Sequence, residues 1–367
     1  MPDLTVKYFN SGMTGAPQIA NNWGDLVSML DACLVNGFAL KAIDTLTSAG
    51  GIATATISSG HAYRPDQVVL IAGAEQPEYN GQFRVLTTTT TTFTFAVTGT
   101  PVSPATTTSI LSAKVAPLGW EKPFAGTNKA AYRSKNPQSS QNLLLIDNSL
   151  KTPGYTTSWA KWANVGIVED LADIDTIVGA QAPYDPNNPT QNWKQVSSGQ
   201  WGWYKWYHAR QAGYDNYGDS GGGNRNWVLV GDDRLLYLFC SSAAGYGWYG
   251  RSSYCFGDIT SFKPGDNYAT VLCADDVYWS NSNGGYSSYP GQFNGYGLAS
   301  SLDFAGKVLL RNHTQLGNPV RFGVTSLNTN NGQQICGRGP TPFPNGADYS
   351  LWLLPTYVRQ EDGHIRG

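Results

Sequence analysis

Two pairs of adjacent aspartates are the first residues of the chain that could do chemistry, Asp232–Asp233 and Asp275–Asp276. Hydrolysis of a glycosidic bond needs two carboxyl groups that face each other across a cleft, one of them protonated. Neighbouring residues of a strand point to opposite faces, so one aspartate from each pair would have to meet across a sheet. Because aspartate also favours tight turns, we expect Asp232–Asp233 to form a turn, and a hydrolase of envelope polysaccharide stays an alternative.

A string at 218–223, Gly-Asp-Ser-Gly-Gly-Gly, would make Ser220 a nucleophile, since it resembles the sequence around the nucleophile of chymotrypsin-like proteases. The final proline of that signature is replaced by glycine. The upstream histidines are His61 and His208, and neither has the sequence setting of a protease histidine. His208 is also too close in sequence to Ser220 for a separate barrel to lie between them. We therefore interpret 218–223 as a glycine-rich surface loop.

The cysteines and histidines do not have the spacing of a metal site. No CxxC pair occurs, and no two histidines lie three to five residues apart. The sequence also lacks a P-loop and an HExxH motif. We predict that the chain is not an enzyme, that it holds no metal or cofactor, and that its thiols are reduced and buried. The five cysteines are Cys33, Cys240, Cys255, Cys273 and Cys336.

Aromatic side chains are densest in two stretches, Trp-Gly-Trp-Tyr-Lys-Trp-Tyr at 201–207 and Tyr-Gly-Trp-Tyr-Gly at 246–250. Alternation along a strand would make both faces of 201–207 apolar. Exposed rings on a β scaffold can stack on sugar rings or anchor a protein interface, and the alternative is a buried core. The candidate receptor-contact or interface residues are Trp201, Trp203, Trp206, Tyr207, Tyr246, Trp248 and Tyr249.

The composition limits the class of protein. The chain has 24 Lys and Arg against 26 Asp and Glu, and charged residues make up only 14% of it. Binding of nucleic acid through its phosphates favours a basic chain, so we expect no nucleic-acid partner. No run of 18 apolar residues occurs, and Met1–Asn10 lacks a signal-peptide pattern, which predicts synthesis in the cytoplasm and no membrane insertion. The 42 Gly and 20 Pro, together with many aromatics, favour short strands and a mainly β fold.

The order of predicted elements indicates three parts. Residues 1–42 are predicted to be an extended arm and a docking helix, which Asn22 caps and Gly37 ends. Residues 43–116 are predicted to be a small all-β module, and 117–367 a larger, aromatic-rich, β-sandwich-like domain. The predicted strands lie at 53–57, 67–71, 82–86, 93–97 with Phe93, Phe95 and Val97 inward, 143–147, 226–240 as a hairpin turned at Gly231–Asp233, 307–311, 320–325 and 349–354.

Several segments are similar to virion proteins of tailed bacteriophages. Residues 7–38, from Lys-Tyr-Phe-Asn-Ser-Gly to Val-Asn-Gly-Phe, resemble the N-terminal arm and helix of tail or baseplate components of Mu-like phages with long tails, of the siphophage type. The string Leu-Gly-Trp-Glu-Lys-Pro-Phe-Ala-Gly-Thr-Asn-Lys-Ala-Ala-Tyr-Arg-Ser at 118–134 resembles the segment that follows in those proteins. Residues 53–97 resemble a small β-module repeated in many phage tail proteins, and the closing Gly-His-Ile-Arg-Gly belongs to the same resemblance.

This resemblance implies a structural subunit that is made in the bacterial cytoplasm and built into the virion tail. Its expected partners are copies of itself, with a trimer favoured by the symmetry of tails, and other tail or baseplate proteins. Low charge and many aromatics suit such a chain, because protein interfaces bury aromatic side chains and exclude charges. The alternative within a virion is a receptor-binding protein that contacts host glycan or pilus through the aromatic stretches.

Overall fold

The structure is a computed structural model. It describes residues 4–150, 160, 162–182, 204–209, 222–241, 251–261, 269–273, 275–276, 306–312, 315–316, 320–322, 335–336, 358–359 and 365–366. Strands dominate, and the mainly β fold predicted from the sequence is confirmed. The helices of the described residues are too short or too polar for any of them to cross a bilayer.

The strands are numbered in chain order, and every described strand pair is antiparallel. They are β1 (Lys7–Asn10), β2 (Phe38–Ala42), β3 (Thr45–Ala49), β4 (Ile52–Thr56), β5 (Val68–Ala72), β6 (Gly81–Thr88), β7 (Thr92–Ala96), β8 (Ser112–Val115), β9 (Trp120–Gly126), β10 (Lys129–Ser134), β11 (Leu143–Asp147), β12 (Trp162–Asp173), β13 (Thr176–Ala182), β14 (Tyr204–Tyr207), β15 (Trp227–Gly231), β16 (Leu235–Ser241), β17 (Arg251–Ser261), β18 (Ala269–Cys273), β19 (Asp275–Asp276), β20 (Gly306–Asn312), β21 (Gln315–Leu316), β22 (Val320–Phe322), β23 (Ile335–Cys336), β24 (Val358–Arg359) and β25 (Ile365–Arg366).

The helix near the N-terminus runs as α1 (Asp25–Leu30) and continues as a π-helix (Asp31–Asn36). It ends as predicted at Gly37, which has a φ of 71°. The predicted cap at Asn22 is wrong, because the residue before the helix is Gly24, with a φ of 92°. The first N–H groups of the helix donate instead to a side chain that is distant in sequence. A short 3₁₀ turn (Pro77–Tyr79) lies within the module.

A seven-stranded module sheet, in the order β2-β8-β5-β6-β7-β4-β3, is built wholly from residues between Phe38 and Val115. Phe38 is paired directly with Val115, so the chain enters and leaves this sheet at neighbouring positions. The inward orientation predicted for Phe93, Phe95 and Val97 is confirmed, since all three are buried. The strands predicted in this part of the chain correspond to β4, β5, β6 and β7.

The first sheet of the remaining chain has nine strands, in the order β1-β15-β16-β17-β18-β20-β21, with β22 on β20 and β23 on β17. The predicted hairpin at 226–240 is confirmed as β15 and β16. The strands predicted at 307–311 and 320–325 are found as β20 and β22. The arm contributes the edge strand β1, which pairs with β15 more than 200 residues away.

The second sheet has seven strands, in the order β19-β14-β12-β11-β10-β9, with β13 on β12. The strand predicted at Leu143–Asp147 is confirmed, and all five of its residues are buried. A continuous apolar core joins one face of this sheet to the helix, the arm and the module. A smaller core on the other face contains Ala131, Leu143, Leu145, Val168 and Leu171. The strand predicted at 349–354 lies outside the described residues.

Candidate functional site at the arm and helix junction

The N-terminal arm is bound along its length to the segment that leads into β15. Beyond the ladder of β1, the Ser11 N–H donates to the Trp227 carbonyl at 3.0 Å, and the Trp227 indole N–H donates to the Pro17 carbonyl at 3.0 Å. The Arg225 N–H donates to the Ile19 carbonyl at 2.8 Å. Ile19 and Phe9 are buried, so apolar packing adds to the backbone pairing.

Asn148 caps the start of α1 from another part of the chain. Its Oδ1 accepts hydrogen bonds from the N–H of Gly24 at 2.9 Å and the N–H of Leu26 at 3.3 Å. The first N–H groups of a helix have no partner within the helix, and Asn148 satisfies two of them at once. Asn148 directly follows β11, so the junction fixes the helix against the second sheet.

The orientation of the Asn148 amide determines the chemistry of His208. Because Oδ1 accepts from two N–H groups, Nδ2 must point the other way, where it donates to the Trp162 carbonyl at 3.3 Å. Nδ2 also lies 3.1 Å from His208 Nε2. An amide nitrogen can only donate, so His208 Nε2 is an acceptor and the ring is neutral.

The surroundings of His208 favour the same neutral form. The side chain is fully buried, and this burial lowers its pKa to about 3, with a further contribution from the nearby positive charge of Arg225. The nearby Ala20 backbone opposes these effects. His208 is therefore not suited to exchange protons near neutral pH.

Arg225 is almost completely buried in the same junction. Its Nη1 donates to the Gly223 carbonyl at 2.6 Å, and its Nη2 donates to the Ala209 carbonyl at 3.1 Å. Burial lowers its pKa, whereas the nearby charge of Asp25 raises it. Asp25 Oδ2 accepts in turn from the Ala20 N–H at 2.8 Å, so the start of the helix is bonded to the arm.

A second polar contact joins the π-helical turn to the second sheet. Asp31 Oδ2 lies 2.7 Å from Lys122 Nζ, and its Oδ1 accepts from the Tyr132 hydroxyl at 2.8 Å. The pKa of Tyr132 is raised by burial and then by the negative charge of Asp31. Both partners belong to 118–134, so this segment and the helix are locked together.

Two of the aspartates considered for hydrolysis have described side chains, and these make structural hydrogen bonds. Asp232 Oδ1 accepts from the N–H groups of Arg234 and Leu235, each at 2.8 Å, which confirms the predicted turn. Asp233 Oδ2 accepts from the Asn136 side chain at 2.9 Å. Asp275–Asp276 form β19 beside β14, and their side chains lie outside the described residues.

Two of the predicted receptor or interface residues, Trp206 and Tyr207, belong to the described part of the chain, and both are buried within it. The Trp206 ring stacks on Tyr254 with centroids 5.4 Å apart, and the Tyr254 hydroxyl accepts from the Tyr207 N–H at 2.6 Å. These contacts join β14 of the second sheet to β17 of the first, so the two rings form core and not an exposed surface. The remaining candidates lie outside the described residues: Trp201, Trp203, Tyr246, Trp248 and Tyr249. Ser220 also lies outside them.

Three cysteines, Cys33, Cys240 and Cys255, are reduced and buried, as predicted. Burial raises the pKa of the Cys33 and Cys240 thiols. Cys273 and Cys336 lie in strands whose side chains are outside the described residues. In the described part of the chain, His, Cys, Asp and Glu side chains form no group that could hold a metal ion.

Comparison with known proteins returns no matching family model and no curated protein of significant similarity.

The role of Asn148 was not predicted from the sequence, and His208 was considered there only as a catalytic residue. The signal that could have indicated Asn148 is its place two residues after the apolar run Leu143–Ile146, since the end of a buried strand can hold a polar side chain in the interior. A buried amide must have partners. Its particular partners, Gly24 and Leu26, cannot be obtained from local sequence.

Proposed function

We propose that the chain is a structural component of a bacteriophage virion, at the tail tip or baseplate, and that it assembles there as a symmetric oligomer. The trimer is favoured among the oligomers. In this proposal the chain functions by fitting against copies of itself and against other tail proteins, and not by catalysing a reaction.

The observation that carries the proposal is that two of the phage-like segments, 7–38 and 118–134, pack against each other. The Leu118 N–H donates to the Cys33 carbonyl at 2.9 Å, and the Gly119 N–H donates to the Leu34 carbonyl at 3.1 Å. Together with the contact of Asp31 and Lys122, these bonds make one unit from segments about 80 residues apart in sequence. A shared structural unit is what a true resemblance to phage arm-and-helix proteins would produce.

The module is inserted between these two segments, and its arrangement supports the same interpretation. Since Phe38 pairs with Val115, the chain returns from the module to the place where it left the helix. The unit formed by 7–38 and 118–134 is continuous without the module. It can therefore dock to a particle while the module projects from it or braces the assembly. The arm, held by β15 and by the junction of Asn148, would present its outer edge to a neighbouring subunit.

Size-exclusion chromatography with multi-angle light scattering tests the oligomer. The expected result is a species of about three times the protomer mass that persists at micromolar concentration. A stable monomer under these conditions would contradict the proposed assembly. Location of the chain in images of an assembled particle tests the rest, and its absence from tail tip and baseplate would overturn it.

A further inference from the structure

The outer face of the module sheet carries threonines in a regular array on three neighbouring strands. Each strand has the pattern Thr-x-Thr, and the registers place the six threonines in two rows that cross the strands. Cross-strand partners lie on the same face of an antiparallel sheet. We call this array the threonine grid, with rows Thr45–Thr56–Thr92 and Thr47–Thr54–Thr94.

The grid is rigid, because its strands are anchored on the opposite face. The residues that alternate with the threonines along these strands are fully buried: Leu46, Ala53, Ala55, Phe93 and Phe95. Threonine has a short, β-branched side chain with few rotamers, so little conformational entropy is lost when it binds. Such a surface is preorganised for a ligand with matching groups.

Four grid hydroxyls are available to a ligand. Thr94 and Thr92 bond to neighbouring threonines, with Oγ1–Oγ1 distances of 2.7 Å to Thr87 and 2.8 Å to Thr89. Within the described part of the chain, no hydrogen bond involves the side-chain hydroxyls of the other four threonines. They are the members contributed by β3 and β4, Thr45, Thr47, Thr54 and Thr56.

The grid itself carries no charge, because all six of its positions are threonine. The carboxylate of Asp44, which precedes Thr45 in the chain, accepts the Ser58 N–H at 2.6 Å. An uncharged surface suits an uncharged partner.

The dimensions favour a narrow ligand over a second copy of the chain. With strands about 4.8 Å apart and alternate residues about 6.7 Å apart, the grid and its margins cover roughly 300 Å². A stable protein–protein interface needs about 800 Å² on each partner. A linear chain of β-1,4-linked pyranose sugars advances by close to one strand spacing per sugar, so successive sugars would lie over successive strands. The two rows would then face the hydroxyls on the two sides of each ring, and the threonine methyls would contact its C–H groups.

We infer that the threonine grid binds a neutral, linear, β-linked glycan that lies across β3, β4 and β7. This inference goes beyond the proposed function and does not depend on it, since it concerns a surface of the single chain. The oligomer and the particle location test the virion role separately.

Titration of the full chain, labelled with ¹³C at threonine methyl groups, with cellohexaose tests this inference by NMR. The expected result is a set of shifts that saturates and that is confined to methyls of the grid. The double variant Thr47→Val/Thr54→Val keeps the methyl shape and strand preference but removes two hydroxyls, so binding should weaken about tenfold. Thr98→Val, an exposed threonine outside the grid, is the matched control and should bind like the wild type.

Three outcomes would overturn the inference. The first is an absence of grid shifts up to the solubility limit of the sugar. The second is equal binding by the double variant, with its methyl spectrum showing an intact fold, since the hydroxyls would then play no part. The third is equal or tighter binding of an anionic hexagalacturonate, or grid shifts that depend on protein concentration alone, which would assign the surface to a different partner.

Discussion

Asn148 and Gly24 are 124 residues apart in sequence, yet Asn148 Oδ1 accepts the Gly24 N–H at 2.9 Å. This bond and its companion to Leu26 make a side chain of the second sheet the cap of the N-terminal helix. The same amide faces His208, so one residue connects the helix, the end of β11 and the end of β14. The junction is therefore a cooperative unit, whose loss should affect the helix and the strands that it joins.

Replacement of Asn148 by alanine should lower the free energy of unfolding by about 2–4 kcal/mol, because it leaves two backbone N–H groups buried without an acceptor. Gln138→Ala, which removes an exposed amide, is the control and should cost less than about 0.5 kcal/mol. Urea denaturation followed by tryptophan fluorescence measures both. Equal midpoints for the two variants would contradict the assigned role of Asn148.

Stability should fall on acidification because of His208. Its pKa is about 3 in the folded chain against 6.5 for an ordinary histidine, so between these values the unfolded chain binds a proton that the folded chain does not. This loss of stability is negligible above pH 6.5. Below pH 6.5 it grows by up to about 1.4 kcal/mol for each pH unit.

The variant His208→Gln keeps an acceptor near Asn148 but cannot be protonated. Between pH 7 and pH 5, the wild type should therefore lose about 2 kcal/mol more stability than the variant. Urea denaturation at the two pH values measures this difference, in which the other titrating groups cancel. Parallel losses in the two proteins would show that His208 is not buried in its neutral form.

The parts of the fold with local signals were predicted, and those that depend on distant partners were not. The hairpin of β15 and β16 is visible as two apolar runs about a turn, and Gly37 ends the helix because only glycine adopts its φ easily. The pairing of β1 with β15 has no comparable signal in the sequence, because a short extended arm could pair with the edge of any sheet. The prediction of a cap at Asn22 was wrong for the same reason. Local capping rules consider only nearby residues, whereas the acceptor here is the side chain of the distant Asn148.

The Cys33 thiol should resist alkylation in the folded chain. Burial excludes the reagent, and the raised pKa keeps the sulfur protonated, whereas only the thiolate is a strong nucleophile. Treatment with iodoacetamide at pH 8, followed by peptide mass spectrometry, should label Cys33 and Cys240 only when urea is present. Rapid labelling of Cys33 without urea would show that the helix opens away from its neighbours.

Gly37→Ala should be one of the most destabilising substitutions in the helix and module. Gly37 has a φ of 71°, and an added Cβ would lie 2.3 Å from the Val115 carbonyl oxygen, where helix, β2 and β8 meet. Gly99 has nearly the same φ, 73°, but an added Cβ would meet nothing within 4 Å. Backbone strain alone should cost about 1–2 kcal/mol at Gly99, whereas the clash should add about 1–3 kcal/mol at Gly37. Urea denaturation of the two alanine variants separates these effects, and equal losses would mean that Val115 moves freely away from the helix end.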